Sequence, residues 1–261
     1  MLCLFCKKES GGSRSVEHIV PESLGNTTGT LPPGVVCDKC NNYFALKVEK
    51  PFLEDPTIVS LRFHQGVPSK KRRIPPLSGT LGPGLPVTVY RHLDGPTAGI
   101  IDTTTEAFRW MASSESKVVL SLPSPSDEWN EVLVSRFMAK AALESMASRL
   151  LDSPEGLSSL VDEVQFDPIR EYARYGIGKL WPVSMRRIYE ADKAWGASAG
   201  EVVQRVWEWG FLHTNRGEVY FVLALFGLEF SINLGGPVVE GYRMWLEENS
   251  GRSPLYPDGI E

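Results

Sequence analysis

The apolar positions of this chain change period several times, and each change marks an element. Val16 to Val20 reads as a short strand stopped by Pro21, which cannot continue a ladder. Leu24-Gly25-Asn26-Thr27-Thr28-Gly29 reads as a flexible loop, and Val35-Val36 as a second short strand. Asp38 is placed to cap a helix running through Asn41, Phe44, Ala45 and Val48, with Pro51 at its end. Residues 74–100 are rich in Pro and Gly, and Pro75 to Pro86 read as a loop or linker. Beyond it, Val87-Thr88-Val89-Tyr90 alternates as a strand, and Ile100-Ile101 and Val118-Val119-Leu120 suggest further strands of a small sheet.

The longest helical pattern starts at Ser126-Asp127 and runs to about Leu151. Val132, Ala139, Leu143, Met146 and Leu150 form one apolar row, and Trp129, Leu133 and Phe137 a second. Two rows predict a helix packed on two sides, with Lys140 among them lying on its stem with its head in water. Asp167-Pro168 and Gly176 bracket a short helix over Ile169 to Tyr175. Val202 to Leu212 and Val219 to Leu234 read as two strands joined by a turn at residues 214–218. The second is apolar on both faces, as a buried strand is. Val238 to Glu248 closes the pattern as an amphipathic helix ending near Gly251. The seven tryptophans lie from Trp110 onward, where core packing accounts for them better than base stacking.

These elements predict an α+β protein. A small N-terminal ββα unit over residues 1–60 precedes a basic, then Pro/Gly-rich connector over 61–86. A larger α+β domain over 87–261, with a central helix and a short antiparallel sheet, completes the chain. No internal repeat is visible. No apolar run reaches membrane-spanning length and the start lacks a basic-then-apolar leader, so a cytoplasmic protein is expected.

Charge changes the picture at one point. The net −5 argues against a general nucleic-acid coat, but residues 1–73 carry a net +4 and the remainder −9. The densest positive run is Lys70-Lys71-Arg72-Arg73, a candidate phosphate contact for which a solvated loop is the competing reading.

The chemistry-bearing residues gather in the first 42 positions. All four cysteines stand there as two C-x-x-C pairs, Cys3 with Cys6 and Cys37 with Cys40. Paired knuckles supply four thiolates for a tetrahedral zinc that is structural, because a filled shell leaves no position for substrate. Two disulfides are the alternative. Between the pairs lies Glu17-His18, and directly after them Asn41-Asn42. A neutral imidazole can take a proton from water, and a carboxylate and an amide oxygen are hard donors for magnesium or manganese. Those residue types suit phosphodiester cleavage.

The segment Glu17-His18-Ile19-Val20-Pro21-Glu22-Ser23-Leu24-Gly25, followed by Cys37-x-x-Cys40-Asn41, resembles the HNH endonuclease family in its zinc-stapled ββα-metal form. The resemblance covers about the first fifty residues. It implies a metal-dependent phosphodiesterase acting on DNA, with His18 as general base and Glu17 and Asn41 holding a catalytic Mg2+ or Mn2+. Asn42 is one register step away as the other candidate ligand. The family more often has Asp where Glu17 stands. Ala45 stands where it often has a second histidine, so water or substrate phosphate is left to complete the ion's shell. The expected partner is DNA, as duplex. The residues after 86 carry no motif with a task and are left open as a DNA-recognition, homodimer or regulatory-partner surface. Two other readings stand beside this one: a non-catalytic zinc module that binds nucleic acid or protein, and a nuclease switched by a ligand or partner at the C-terminal domain.

Overall fold

Alanine and serine at Ser135, Ala139, Ala141, Ala142, Ser145 and Ala147 let other elements approach the helix Glu131–Arg149 from nearly every side. This computed structural model describes residues 1–92, 98–113, 119–123, 128–196 and 202–260. Asn130 caps the helix by accepting the Leu133 N–H at 3.0 Å. The expected start at Ser126-Asp127 lies outside the described residues. The two-row reading is too narrow: twelve of the helix's residues are buried, while Val132, assigned to a row, is exposed.

The chain divides into two compact units, and they are not the expected ones. The first joins residues 1–21 and 26–52 to residues 129–261, so the cysteine segment and the C-terminal half form one body. The second is residues 53–128 with 22–25. The fold class is α+β with short antiparallel sheets.

In the first unit, Glu17–His18 pairs antiparallel with Thr30–Leu31, His18 opposite Thr30. Val35-Val36 is not the second strand. Both residues are buried in a turn, where the Val35 carbonyl accepts the Leu4 N–H at 2.9 Å. Cys37 precedes the helix Asp38–Phe44 as its cap residue. Asp38 is already helical and its Oδ1 instead accepts the Arg14 and Ser15 amides, at 3.0 and 2.9 Å. The helical path does not stop at Pro51. It continues as a π turn over Ala45–Glu49 and a last turn over Lys50–Leu53, with the Lys50 N–H reaching the Ala45 carbonyl. Proline lacks an N–H and crowds the carbonyl four residues back, and the wider turn before it is a recognised way for a helix to absorb such a break.

The C-terminal sheet is antiparallel, in the order Trp207–His213, Val219–Leu225, Leu228–Asn233, Val183–Arg187. The apolar run from Val219 to Leu234 is thus two strands. Phe226 and Gly227, at φ 52° and 75°, turn the chain inside what reads as one buried strand. A Cβ on Gly227 would meet the Tyr189 carbonyl at 2.0 Å, so the turn needs this glycine. The helix Asp167–Tyr175 ends at Gly176 (φ 69°) as expected. The closing helix is Glu240–Glu248.

The second unit is a four-stranded antiparallel sheet in the order Ala98–Thr103, Leu85–Arg91, Leu77–Leu81, Leu120–Ser121. Helices Pro56–His64 and Thr105–Ser113 contribute Phe63 and Ala107 to its core with Leu77, Leu81, Val87 and Val89. Asp55 caps the first of them, accepting the Thr57 N–H at 2.9 Å ahead of a proline at the first helical position. Val118 lies outside the described residues.

Candidate functional site

The two knuckles converge. Cys3, Cys6, Cys37 and Cys40 are free thiols whose sulfurs all lie within 4.8 Å of one another, with Cys6 and Cys37 at 3.7 Å. The edge of a tetrahedron with zinc–sulfur bonds of ~2.3 Å is ~3.8 Å, so spacing and donor set fit zinc. Backbone and charge prepare the thiolates. The Cys37 N–H donates to Cys3 Sγ and Arg174 Nε donates to Cys40 Sγ, both at 3.3 Å. The hydrogen bond between Cys3 and Cys40 holds the Cys3 thiol down and pushes the Cys40 thiol up, so one of the two keeps its proton until a cation takes its place. Arg174 lies on the helix Asp167–Tyr175 and also covers the Tyr43 ring, 3.6 Å from its centroid. A residue 134 positions along the chain therefore supports the metal group. Purified protein is expected to carry about one zinc per chain. Cys37→Ser should remove it and expose the amides of residues 3–44 to hydrogen exchange, measured by metal analysis and mass spectrometry.

The strand Glu17–His18 is held from three directions. Asn26, read from sequence as part of a flexible loop, is fully buried. Its Nδ2 donates to the carbonyls of Val20 (2.7 Å) and Gly29 (2.9 Å), and its Oδ1 accepts the Gly29 N–H at 2.7 Å. One amide thus satisfies both ends of the turn after His18. Asn41, in the first helical turn, donates from Nδ2 to the Val16 carbonyl at 3.1 Å. That contact orients its side chain toward the start of the strand. His18 is half-buried.

Glu17 and His18 are consecutive in an extended segment and point to opposite faces. Glu17 enters the interior, where Lys140 Nζ meets Glu17 Oε1 at 2.8 Å, Glu49 Oε1 at 2.6 Å, Glu144 Oε2 at 2.8 Å and the His18 carbonyl at 3.0 Å. Lys140 is 0% exposed, which overturns the reading of a solvated head. Burial works against its charge, but Glu144, Glu17 and Glu49 more than offset this and hold its ionisation well above the usual lysine range. One ammonium cannot balance three carboxylates. Glu17 Oε2 and Glu144 Oε1 are buried with no hydrogen-bond partner among the described residues. Burial pushes both carboxyl groups up. Glu229, another buried acid, makes the contrast: it accepts from Arg186, Tyr242 and Ser253.

Residues 3–57 match the HNH endonuclease family model. The HNH segment is of a nuclease type, and the matched residues include every cysteine, Glu17, His18 and Asn41. No curated protein and no solved structure matches the chain. Among the described residues no helix is long and apolar enough to cross a membrane.

In the second unit the basic run is divided. Ser69 to Arg73 forms a tight turn, with the Arg72 N–H on the Ser69 carbonyl at 2.7 Å and Arg72 at φ 56°. Lys70 reaches Glu22 at 3.3 Å, while Arg72 and Arg73 line a cleft of about 800 Å3.

Sequence reasoning missed Asn26, Glu49, Glu144 and Arg174, and misjudged Lys140. The available signal was Lys140 and Glu144, an oppositely charged pair four residues apart inside an apolar helix pattern.

Proposed function

We propose that the HNH segment is the catalytic part of a divalent-metal-dependent endonuclease that hydrolyses the phosphodiester bonds of duplex DNA. The observation that carries this is the HNH endonuclease family match over residues 3–57, which takes in Glu17, His18 and Asn41, together with the Asn41 bond to the strand that bears His18. Glu17 Oε2 and Asn41 Oδ1 are the hard donors for Mg2+ or Mn2+, which, when bound, would stabilise the charge that develops on the leaving oxygen. Asn41 has its Nδ2 committed to Val16, which leaves Oδ1 as the ligand atom.

His18 acts as the general base, taking the proton of the attacking water on its imidazole. Its backbone needs no adjustment, since Thr30 pairing and the Lys140 bond to its carbonyl already hold it. The cysteine group is a zinc staple, remote from the chemistry. Lys70, Lys71, Arg72 and Arg73 contribute phosphate contacts. Four free thiols suit a reducing compartment, the cytoplasm.

The test is cleavage of supercoiled and linear duplex DNA in Mg2+ or Mn2+, with RNA alongside. Activity is expected with DNA, and a chelator that leaves the zinc in place should stop it. Asn41→Ala should lower the rate by roughly 10–100-fold at limiting metal and recover as the metal concentration rises. Absence of cutting under every divalent ion would reduce the segment to a zinc-bearing binding module.

A further inference from the structure

Arg62 sits in the last turn of the helix Pro56–His64 and is 5% exposed. Its Nε and Nη2 are buried and have no hydrogen-bond partner among the described residues. Burial lowers its ionisation. An arginine keeps its charge regardless, so among the described residues the fold buries a charged guanidinium with two nitrogens unsatisfied. Leaving a buried charge unpaired costs several kcal/mol.

Arg62 is one of the residues lining a cleft of about 800 Å3 in the second unit. Arg72, Arg73, Arg91 and His92 line it too, and none of the lining residues among those described is acidic. Arg91 is partly committed, donating from Nη1 to the Phe63 and His64 carbonyls at the end of the same helix. That bond fixes Arg91 beside the cleft. Arg72 and Arg73 stand on the turn closed by Ser69 N–H to the Arg73 carbonyl at 2.8 Å, and Ser69 is itself a lining residue. Ile74, Pro75, Pro76 and Tyr90 form an apolar and aromatic wall. A forked guanidinium with free N–H groups matches the oxygens of a phosphate, and an aromatic wall matches a planar base.

We propose that this cleft is a phosphate-binding site anchored by Arg62, taking the phosphate of a nucleotide unit. The unit is either part of a nucleic-acid strand or a free mononucleotide. The ligand's negative charge satisfies Arg62 Nε and Nη2, while Arg72 and Arg73 close over the outer oxygens. The site lies outside the HNH segment and does not depend on cleavage.

The test uses the full chain with its zinc, in a buffer without divalent ions so that no cutting occurs. Thermal shift and calorimetry are run with inorganic phosphate, with a deoxyadenosine monophosphate and with a short duplex and single-stranded oligonucleotide. Saturable phosphate-dependent stabilisation is expected for the wild type. Arg62→Gln should weaken binding by roughly ten- to a hundredfold. Without phosphate its melting temperature should hold or rise, since the substitution removes an unpaired charge; a purely structural Arg62 would lower it. Arg73→Ala, at an exposed position, provides the same reading should Arg62→Gln fail to fold, with a loss of several-fold. Loss of oligonucleotide affinity with a salt slope reduced by about one identifies a strand as the source. Loss confined to the monophosphate identifies a free ligand. Wild-type protein that binds none of these probes, or Arg62→Gln and Arg73→Ala proteins that bind them as wild type does, overturns the proposal.

Discussion

His18→Ala protein should cut duplex DNA about 10²–10⁴-fold more slowly than wild type in Mg2+ or Mn2+, the range that a positioned general base contributes. It should do so without unfolding. The pairing with Thr30 and the carbonyl bond from Lys140 at 3.0 Å engage the His18 backbone, which the substitution leaves in place. The zinc group is assembled from four thiols and Arg174, none of which the substitution touches. Zinc content, melting temperature and DNA affinity should therefore match wild type while the rate falls. Cutting at the wild-type rate by His18→Ala would falsify the assignment of the base. Loss of zinc or of fold would show that the imidazole has a structural task.

Lys140→Met should give the largest stability change in the protein. The substitution keeps the length and apolar stem of the side chain but removes the ammonium from among Glu17, Glu49 and Glu144. Breaking a buried ion pair from one side costs about 3–5 kcal/mol, because it strands the opposite charge. Here three carboxylates are stranded, against a total stability of about 5–15 kcal/mol for a domain. The denaturant midpoint of the first unit should fall accordingly, or the protein should fail to accumulate. Adding Glu144→Gln to Lys140→Met should recover part of the loss, since it removes one stranded charge at a fully buried position. A Lys140→Met protein as stable as wild type would show that the cluster is neutralised by other means. The same lysine holds the His18 carbonyl, so activity measured on folded Lys140→Met protein should fall beyond the loss of folded material.

Much of the N-terminal chemistry was readable directly. Paired C-x-x-C knuckles bring four thiolates to one ion whatever surrounds them, and the structure gathers those sulfurs within 4.8 Å. Glu17-His18 before Asn41 carried the HNH resemblance that the family match bears out over residues 3–57. Signals confined to a few neighbouring residues survived as well. Asp167-Pro168 opens a helix and Gly176 ends it at positive φ because those residues act through their own backbone.

What failed were inferences in which a distant partner decides the outcome. Val35-Val36 has strand propensity but is buried in a turn, and the pairing with His18 falls to Thr30. Val219 to Leu234 reads as one run because the turn at Phe226-Gly227 carries no polar residue and is buried with the strands on either side of it, where Glu229 and Ser231 are buried too. Lys140 lies 122 residues from His18, and nothing in the period of its own helix says that three carboxylates will surround it. That cluster helps make residues 1–21, 26–52 and 129–261 one body where composition suggests a separate N-terminal domain. Sequence by itself determined the thiol frame and the match of residues 3–57 to the HNH endonuclease family, since these depend on residue type and short spacing. Tertiary structure alone decided which charges are buried together and which buried arginine is left unpaired, since burial is set by packing between elements remote in the chain and local periodicity does not encode it.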